Sequence, residues 1–377
     1  MFGTLLRNRP KKIKLVTSDM HLSAGVVVDG KPNPYEDFFL DREFVDFLRF
    51  FSSGDYGDGC EVELILNGDV LDFLNVPIDG EFPTEITEEM GVKKLELIFS
   101  GHPEVTEALK SFCEKSKKRI VYNVGNHDPE FFFPAVKRFF CETIGGPDWH
   151  ADKVWVNTDT EFLEYPEGLE IHHGNQFEAV HNMNYQQPLI SENLPEPILS
   201  IPWGTIYVLK IINRVKWERE YIDKVKPVKV FLVWGLITDT IFTMKFILLS
   251  SFYFMRTRFV YSPRRKATIW NTLKIMQEEI TPFHGLEDDA RVILDAKPAV
   301  NIVIFGHTHG AMQQRYRDGK IYINTGTWTR MVNLDLRHLG QTMRPTFALV
   351  EYDDGGKATA TLQEWLGEHA PHKLFNG

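Results

Sequence analysis

The sequence holds only three cysteines in 377 residues, Cys60, Cys113 and Cys141, an odd number with no Cys-x-x-Cys spacing. That scarcity argues against a disulfide framework and a thiolate zinc site, and it fits a reducing compartment. The first twelve residues carry Arg7, Arg9, Lys11 and Lys12 but no apolar stretch leading to a cleavage site. No signal peptide is therefore expected, and the chain is placed in the cytoplasm. An excess of positive charge is missing too: at −10 overall, the protein should be a poor non-specific ligand for nucleic acid. There is no internal repeat and no low-complexity tract. Its 43% hydrophobic and 25% charged residues are those of an ordinary globular protein. A chain this long can bury a large core, as one big domain with an insertion or as two domains.

What is present is a recurring pattern of strands that end in chemistry-bearing residues. Lys12 to Ser18 alternates as a strand and leads into Asp19-Met20-His21. Glu61 to Leu66 leads into Asn67-Gly68-Asp69-Val70-Leu71-Asp72, and Arg119 to Val124 into Gly125-Asn126-His127-Asp128. Gly168 to Ile171 leads into His172-His173-Gly174-Asn175, and Val300 to Phe305 into Gly306-His307-Thr308-His309. Between the first two strands, Phe38, Phe39, Phe44, Phe47, Leu48 and Phe51 recur mostly three or four apart. They predict an amphipathic helix from Tyr35 to Phe51 that Ser52-Ser53-Gly54 stops. Helices are also predicted from about Thr87 to Phe99 and from Pro103 to Lys117, a strand from Gly319 to Asn324, and a hairpin around Asp353-Asp354-Gly355-Gly356. The β-α-β-α-β alternation predicts a layered α/β fold with ligands gathered at the carboxyl ends of the strands.

The five strand ends supply Asp19, His21, Asp69, Asn126, His173, His307 and His309. Carboxylate, amide and imidazole without sulfur favour Mn, Fe(II) or Zn over calcium. Seven donors are too many for one tetrahedral ion. They suit two ions roughly 3.5–4 Å apart that share a carboxylate, an arrangement that clamps a phosphoryl group and activates water. Taken alone, Asp69 could be a turn residue and Asp19 a helix cap. Jointly those readings fail, because turns have no reason to choose His or Asn at each strand end in this order.

Asp19-x-His21, Gly68-Asp69-x-x-Asp72, Gly125-Asn126-His127-Asp128, His173-Gly174 and Gly306-His307-x-His309 resemble the five ordered motifs of the calcineurin-like metallophosphoesterases, and they cover residues 13–330 apart from one insertion. The resemblance implies a four-layer α/β/β/α sandwich with an inserted helical cap. It implies two divalent ions, Mn first and Fe or Zn as alternatives, and hydrolysis of a phosphoester or pyrophosphate bond by a metal-bridging water. Asp19, His21 and His309 would hold one ion, Asn126, His173 and His307 the other, with Asp69 bridging. His127 would touch the phosphoryl oxygens or protonate the leaving group, oriented by Asp72 or Asp128. Successive strand residues point to opposite faces, so only one of His172 and His173 should enter the site; the family's His-Gly spacing selects His173. Trp328 in Gly326-Thr327-Trp328-Thr329 and the run Phe131-Phe132-Phe133 read as core packing.

The core is expected at residues 12–174 and 299–365, and the inserted cap at 175–298. This stretch is too long for a loop and carries Pro188, Pro195, Pro197 and Pro202, then long apolar runs, then a predicted helix from Lys266 to Ile280. Residues 200–266 hold thirteen Lys and Arg against four Asp and Glu, a net +9 that leaves −19 for the rest of the chain. Basic and apolar together, they read as a surface that meets anionic lipid or a lid for an amphiphilic substrate; a buried cap helix or dimer seam is the alternative. Asp239 and Lys245 inside the run from Val230 to Leu249 argue against a membrane span. The UDP-2,3-diacylglucosamine hydrolase branch of the family, which cleaves a pyrophosphate in a lipid A precursor, has a similar insertion. This chain departs from that branch in a longer cap, in His127 where the branch carries Arg, and in Asn175 after His173-Gly174. The expected partner is a phosphorylated small molecule or lipid-linked substrate, met peripherally at the inner face of the membrane. A soluble phosphodiesterase or nuclease and a non-catalytic scaffold are the rivals; the complete donor set with His127 speaks against the scaffold.

Overall fold

The computed structural model describes residues 10–226, 228–260, 286–334, 340–368 and 371–375. Its first half runs β1 (Lys12–Thr17), α1 (Asp41–Phe50), β2 (Glu61–Asn67), α2 (Glu88–Gly101), α3 (Pro103–Glu114), β3 (Lys118–Asn123), α4 (Pro134–Gly145), β4 (Val154–Asn157), β5 (Phe162–Tyr165) and β6 (Leu169–His172). After the inserted helices α5 (Val228–Thr238) and α6 (Thr240–Val260) come α7 (Glu287–Ala296), β7 (Ile302–Phe305), β8 (Met312–Arg315), β9 (Ile321–Asn324), β10 (Thr346–Tyr352), β11 (Ala358–Trp365) and β12 (His372–Leu374).

Period-two alternation in the central strands decides the layers. Ile13 and Leu15, Leu64 and Leu66, Ile120 and Tyr122 face α1 to α4, whereas Val16, Ile65 and Val121 face the other way. That second set meets Ile171, Ile304 and Ile323 of a second sheet in an apolar seam. The first sheet has seven strands in the order β12-β11-β10-β1-β2-β3-β4, with β1 to β4 parallel. The second has five in the order β8-β9-β7-β6-β5, with β6, β7 and β9 parallel. Leu286, Ala290 and Leu294, at and within α7, cover the outer face of the second sheet at Val303, Phe305 and Tyr322. Helix, sheet, sheet, helix is the four-layer architecture that the resemblance implies.

The expected hairpin at residues 353–356 joins β10 to β11. The helix expected from Tyr35 begins only at Asp41. The reason is tertiary: the buried Glu36 carboxylate accepts from the backbone of Ser23, Gly25 and Phe38, so residues 36–38 are spent outside a helix. Helix α7 falls within the stretch assigned to the insertion but packs on the second sheet as the fourth layer. The helix expected from Lys266 to Ile280 lies outside the described residues.

The insertion is anchored to the core by charge. Lys216 Nζ is 2.9 Å from Asp37 and 2.7 Å from Asp223, and Lys224 also pairs with Asp37. Both lysines are buried, so part of the +9 expected on a surface is neutralised inside. Asn213 donates to the Leu74 carbonyl at 2.7 Å beside them. Beyond this anchor, α5 and α6 form a hairpin whose apolar side chains are largely outside: Ile241 is 86% exposed, Ile237 72%, and Trp234, Leu248 and Phe252 are exposed too. Among the described residues no helix is long and apolar enough to cross a membrane.

Candidate metal centre

Strands β1, β2 and β3 end side by side in the first sheet, and β6 and β7 end side by side in the second. Their carboxyl ends meet at one edge of the inter-sheet seam. Two buried asparagines tie the edges together: Asn123 donates to Asn67 Oδ1 at 2.9 Å, and Asn67 donates to the His172 carbonyl across the seam at 2.7 Å. The backbone there is strained. Asp19 (φ 52°), His21 (55°), Asp69 (53°), His307 (66°) and His309 (59°) are left-handed, five of the nine non-glycine residues so placed among those described. Each costs about 1–3 kcal/mol, and such strain concentrates where side chains must converge. Close approach also dictates glycine. A Cβ on Gly68 (φ +80°) would lie 2.3 Å from His173 Nδ1, and one on Gly125 2.3 Å from Asp69 Oδ1.

The donors fall into two adjacent groups. Asp19, His21 and His309 bring ligand atoms within 4.8 Å of one another, and so do Asp69, His173 and His307. Within the first, His21 Nε2 is 3.2 Å from His309 Nε2, and His309 Nε2 is 3.4 Å from Asp19 Oδ1. Within the second, His173 Nε2 is 3.1 Å from Asp69 Oδ2. Asp69 Oδ1 also accepts from the backbone of His127, next to Asn126, at 2.8 Å. The division of the two histidines of Gly306-His307-Thr308-His309 between two groups is the one that the resemblance implies.

The chemistry of the site suits cations. Asp19 Oδ1, Asn126 Oδ1 and His173 Nε2 are buried and make no well-formed hydrogen bond among the described residues; Asp19 Oδ1 and His173 Nε2 have only their ion-pair contacts with His309 and Asp69. Buried polar atoms left this way are rare, and these three belong to the expected ligand residues. Burial opposes ionisation of Asp69, but the imidazoles of His173 and His127 hold its carboxyl well below the usual range. For His173, burial disfavours the charged form and the Asp69 carboxylate outweighs it, raising the imidazole to about 9. A buried set that must otherwise borrow protons to balance its carboxylates is matched by divalent ions.

Outside this layer, acceptors fix the rings. The Asn67 carbonyl lies 2.8 Å from His173 Nδ1, and Asp72 Oδ2 lies 3.0 Å from His21 Nδ1. In each case Nδ1 carries the proton and Nε2 is left as the donor atom. The other Asp72 oxygen is 3.0 Å from His127 Nδ1. Asp128 instead accepts from Tyr122 OH at 2.6 Å and from the backbone of Gly125. Of the two carboxylates considered for orienting His127, the one that holds it is thus Asp72, and Asp128 shapes the loop. Burial and the nearby Asp69 push the Asp128 carboxyl up to about 7. His127 is raised to about 10, because the Asp72 and Asp69 carboxylates outweigh the effect of burial.

His172 points away from the site, as its place in the strand requires. It stacks on Phe162 with ring centroids 4.6 Å apart and pairs with Glu170. Trp328 is fully buried with Nε1 donating to the Thr346 carbonyl, and Phe131 and Phe133 are buried as expected. All three cysteines are free and buried.

Two residues of the site were not anticipated. Glu178 and His181 stand within reach of His307: Glu178 Oε2 is 3.0 Å from His307 Nε2 and 2.9 Å from His181 Nδ1. A Glu-x-x-His pair four residues after His173-Gly174 was the visible signal, hidden by its position inside the presumed insertion.

No family model matches the chain, and no curated protein matches it. Among solved structures it is similar to Vps29 complexed with zinc from Entamoeba histolytica (TM-score 0.17, 24% identity, 25% of this chain and 47% of that one). It is also similar to a predicted phosphoesterase from Streptococcus pneumoniae (0.26, 12%, 96% of each chain) and to a putative 5'-nucleotidase from Staphylococcus aureus (0.34, 10%, 93% of this chain and 52% of that one). The chain thus spans about half the length of the first and third of these. With TM-scores this low, the reading of fold and chemistry rests on the chain's own topology and side chains.

Proposed function

We propose that this protein is a metallophosphoesterase that hydrolyses a phosphoester or pyrophosphate bond with two divalent ions. The observation that carries the reading is the set of two adjacent donor groups with His127, oriented by Asp72, at their side. Asp19, His21 and His309 would hold one ion, Asn126, His173 and His307 the other, and Asp69 would belong to both. Ions bound there supply Lewis-acid polarisation of a phosphoryl group and an activated water. The protein's own part is positional. Asp72 accepts from His127 Nδ1, which leaves Nε2 to meet a phosphoryl oxygen or the departing oxygen, and His127 is the more exposed member of that pair. A neutral amide at Asn126 adds a donor atom without adding negative charge. The donor set accepts Mn, Fe(II) or Zn, with Mn the first choice.

Purified protein should turn over an aryl phosphodiester or phosphomonoester, lose that activity on chelation and regain it with Mn. A well-folded preparation that binds no divalent ion and hydrolyses none of these would overturn the proposal.

The finer reading is an amphiphilic or lipid-linked substrate at an anionic membrane surface. It is supported by the exposed side chains of Trp234, Ile237, Ile241, Leu248 and Phe252 on the α5–α6 hairpin, with the exposed cations Arg214 and Lys245 on the same segment. Aromatic and aliphatic side chains left in water beside cations are the composition of an interfacial helix. Sedimentation with vesicles containing anionic lipid tests this; equal sedimentation with neutral vesicles, or none with either, would count against it.

A further inference from the structure

Three histidines of the centre have one ring nitrogen held by an acceptor, and His307 is held differently from the other two. His173 and His21 are fixed by core groups, the Asn67 carbonyl and Asp72. His307 is fixed by Glu178, which lies in the first turn of the inserted segment just after Asn175–Phe177. A carboxylate only accepts, so the 3.0 Å contact places the proton on His307 Nε2. The lone pair is then on Nδ1, the nitrogen that would be left to ligate an ion together with Asp69 and His173.

Glu178 does not stand alone. The same oxygen accepts from His181 Nδ1, and His181 is pressed against the start of the next helical stretch. A Cβ on Gly204 would lie 2.7 Å from His181 Cδ2, and Gly204 N donates to the Val180 carbonyl at 2.9 Å. From Gly204 through His181 and Glu178 to His307 there is a continuous line of contact from the insertion to the second donor group.

We propose that Glu178, seated by His181, is a positioning residue that fixes the His307 tautomer and so sets the affinity of the second donor group for its ion. The reading rests on the dinuclear proposal above, but its first consequence does not need metal. In metal-free protein His307 should be an Nε2–H tautomer, with Nδ1 unprotonated. A carboxylate behind a ligating imidazole raises its basicity and orients the ring, and removing such a partner typically weakens the metal roughly 10–100-fold.

The test compares wild type, Glu178→Asp, Glu178→Gln and Glu178→Ala, each checked for an unchanged circular-dichroism spectrum and melting curve. Long-range proton–nitrogen correlation spectra of the metal-free proteins read the tautomer, with His307→Asn identifying the signal. Mn titration followed by electron paramagnetic resonance reads the two sites separately. The expected result is an Nε2–H signal in wild type that becomes a tautomer mixture in Glu178→Ala. Second-site affinity should fall roughly 10–100-fold while the first site stays within about twofold, with Glu178→Asp recovering part of the loss. An unchanged tautomer and unchanged affinities in Glu178→Ala would overturn the inference. So would three ions in wild type and two in the variant, which would make Glu178, His181 and His307 a site of their own. If wild type binds no ion but shows the tautomer shift, the dinuclear proposal fails and the effect on affinity with it, while the hold of Glu178 on the His307 tautomer stands.

Discussion

The carboxylate of Asp72 lies between two imidazoles, with Oδ2 3.0 Å from His21 Nδ1 and Oδ1 3.0 Å from His127 Nδ1. One buried side chain thus orients both a ligand of the first donor group and the histidine beside it. It is itself fixed by the backbone and side-chain amides of Asn75. His127→Asn should lower kcat by about 10²–10⁴, the usual worth of a positioned proton donor, with metal content unchanged. Asp72→Asn should lower kcat and also weaken the first ion, because His21 loses its acceptor. Steady-state kinetics paired with metal analysis separates the two; metal loss in His127→Asn would place that residue among the ligands.

The hairpin makes a separate prediction. Replacing both Trp234 and Ile241 by Glu removes exposed apolar surface and adds charge of the wrong sign for an anionic interface. Sedimentation with anionic vesicles should fall several-fold, while turnover of a soluble aryl phosphate stays within about twofold, since rim substitutions rarely move a distant site. Vesicle binding that survives this pair would assign contact to another surface.

Stability can be probed where the site is not involved. Lys94 and Glu130 form a fully buried ion pair at 3.0 Å between α2 and the loop leading into α4. Lys94→Met should destabilise by about 3–5 kcal/mol because it leaves a buried carboxylate without a partner. Lys94→Met with Glu130→Met should recover most of that loss. Denaturant unfolding of the wild type and the two variants measures it.

His102 gives a pH dependence with a definite sign. Burial works against its charged form, but hydrogen bonds to Asp41 and Glu36 raise it from 6.5 to about 9. A raised imidazole stabilises the fold fully below the unfolded value near 6.5, and that contribution is lost as pH climbs through about 9. His102→Gln should therefore cost on the order of 3 kcal/mol near pH 6 and much less at pH 9.5. Thermal melts across that window check the convergence.

Strand identity and strand ends were legible in the sequence because both depend on local pattern. Alternation from Lys12 to Ser18 marked a strand, and Asp19, His21, Asp69, Asn126, His173, His307 and His309 announce themselves by type and order. What was not legible depends on contacts across the chain. Residues 35–40 carry helical spacing, yet Glu36 is recruited by Ser23 and Gly25, and the helix starts late. Lys216 and Lys224 count as basic surface in the sequence but are buried against Asp37. Glu178 lies four residues beyond Gly174 of the fourth motif, inside the presumed insertion, and its Glu-x-x-His spacing with His181 does not by itself reveal that it reaches His307.

The most direct test is anomalous diffraction from crystals soaked in Mn. Two peaks are expected, one among Asp19, His21 and His309 and one among Asn126, His173 and His307, with Asp69 touching both and one of them lost in Asp69→Asn. A single peak, or density only beside Glu178 and His181, would contradict a dinuclear centre.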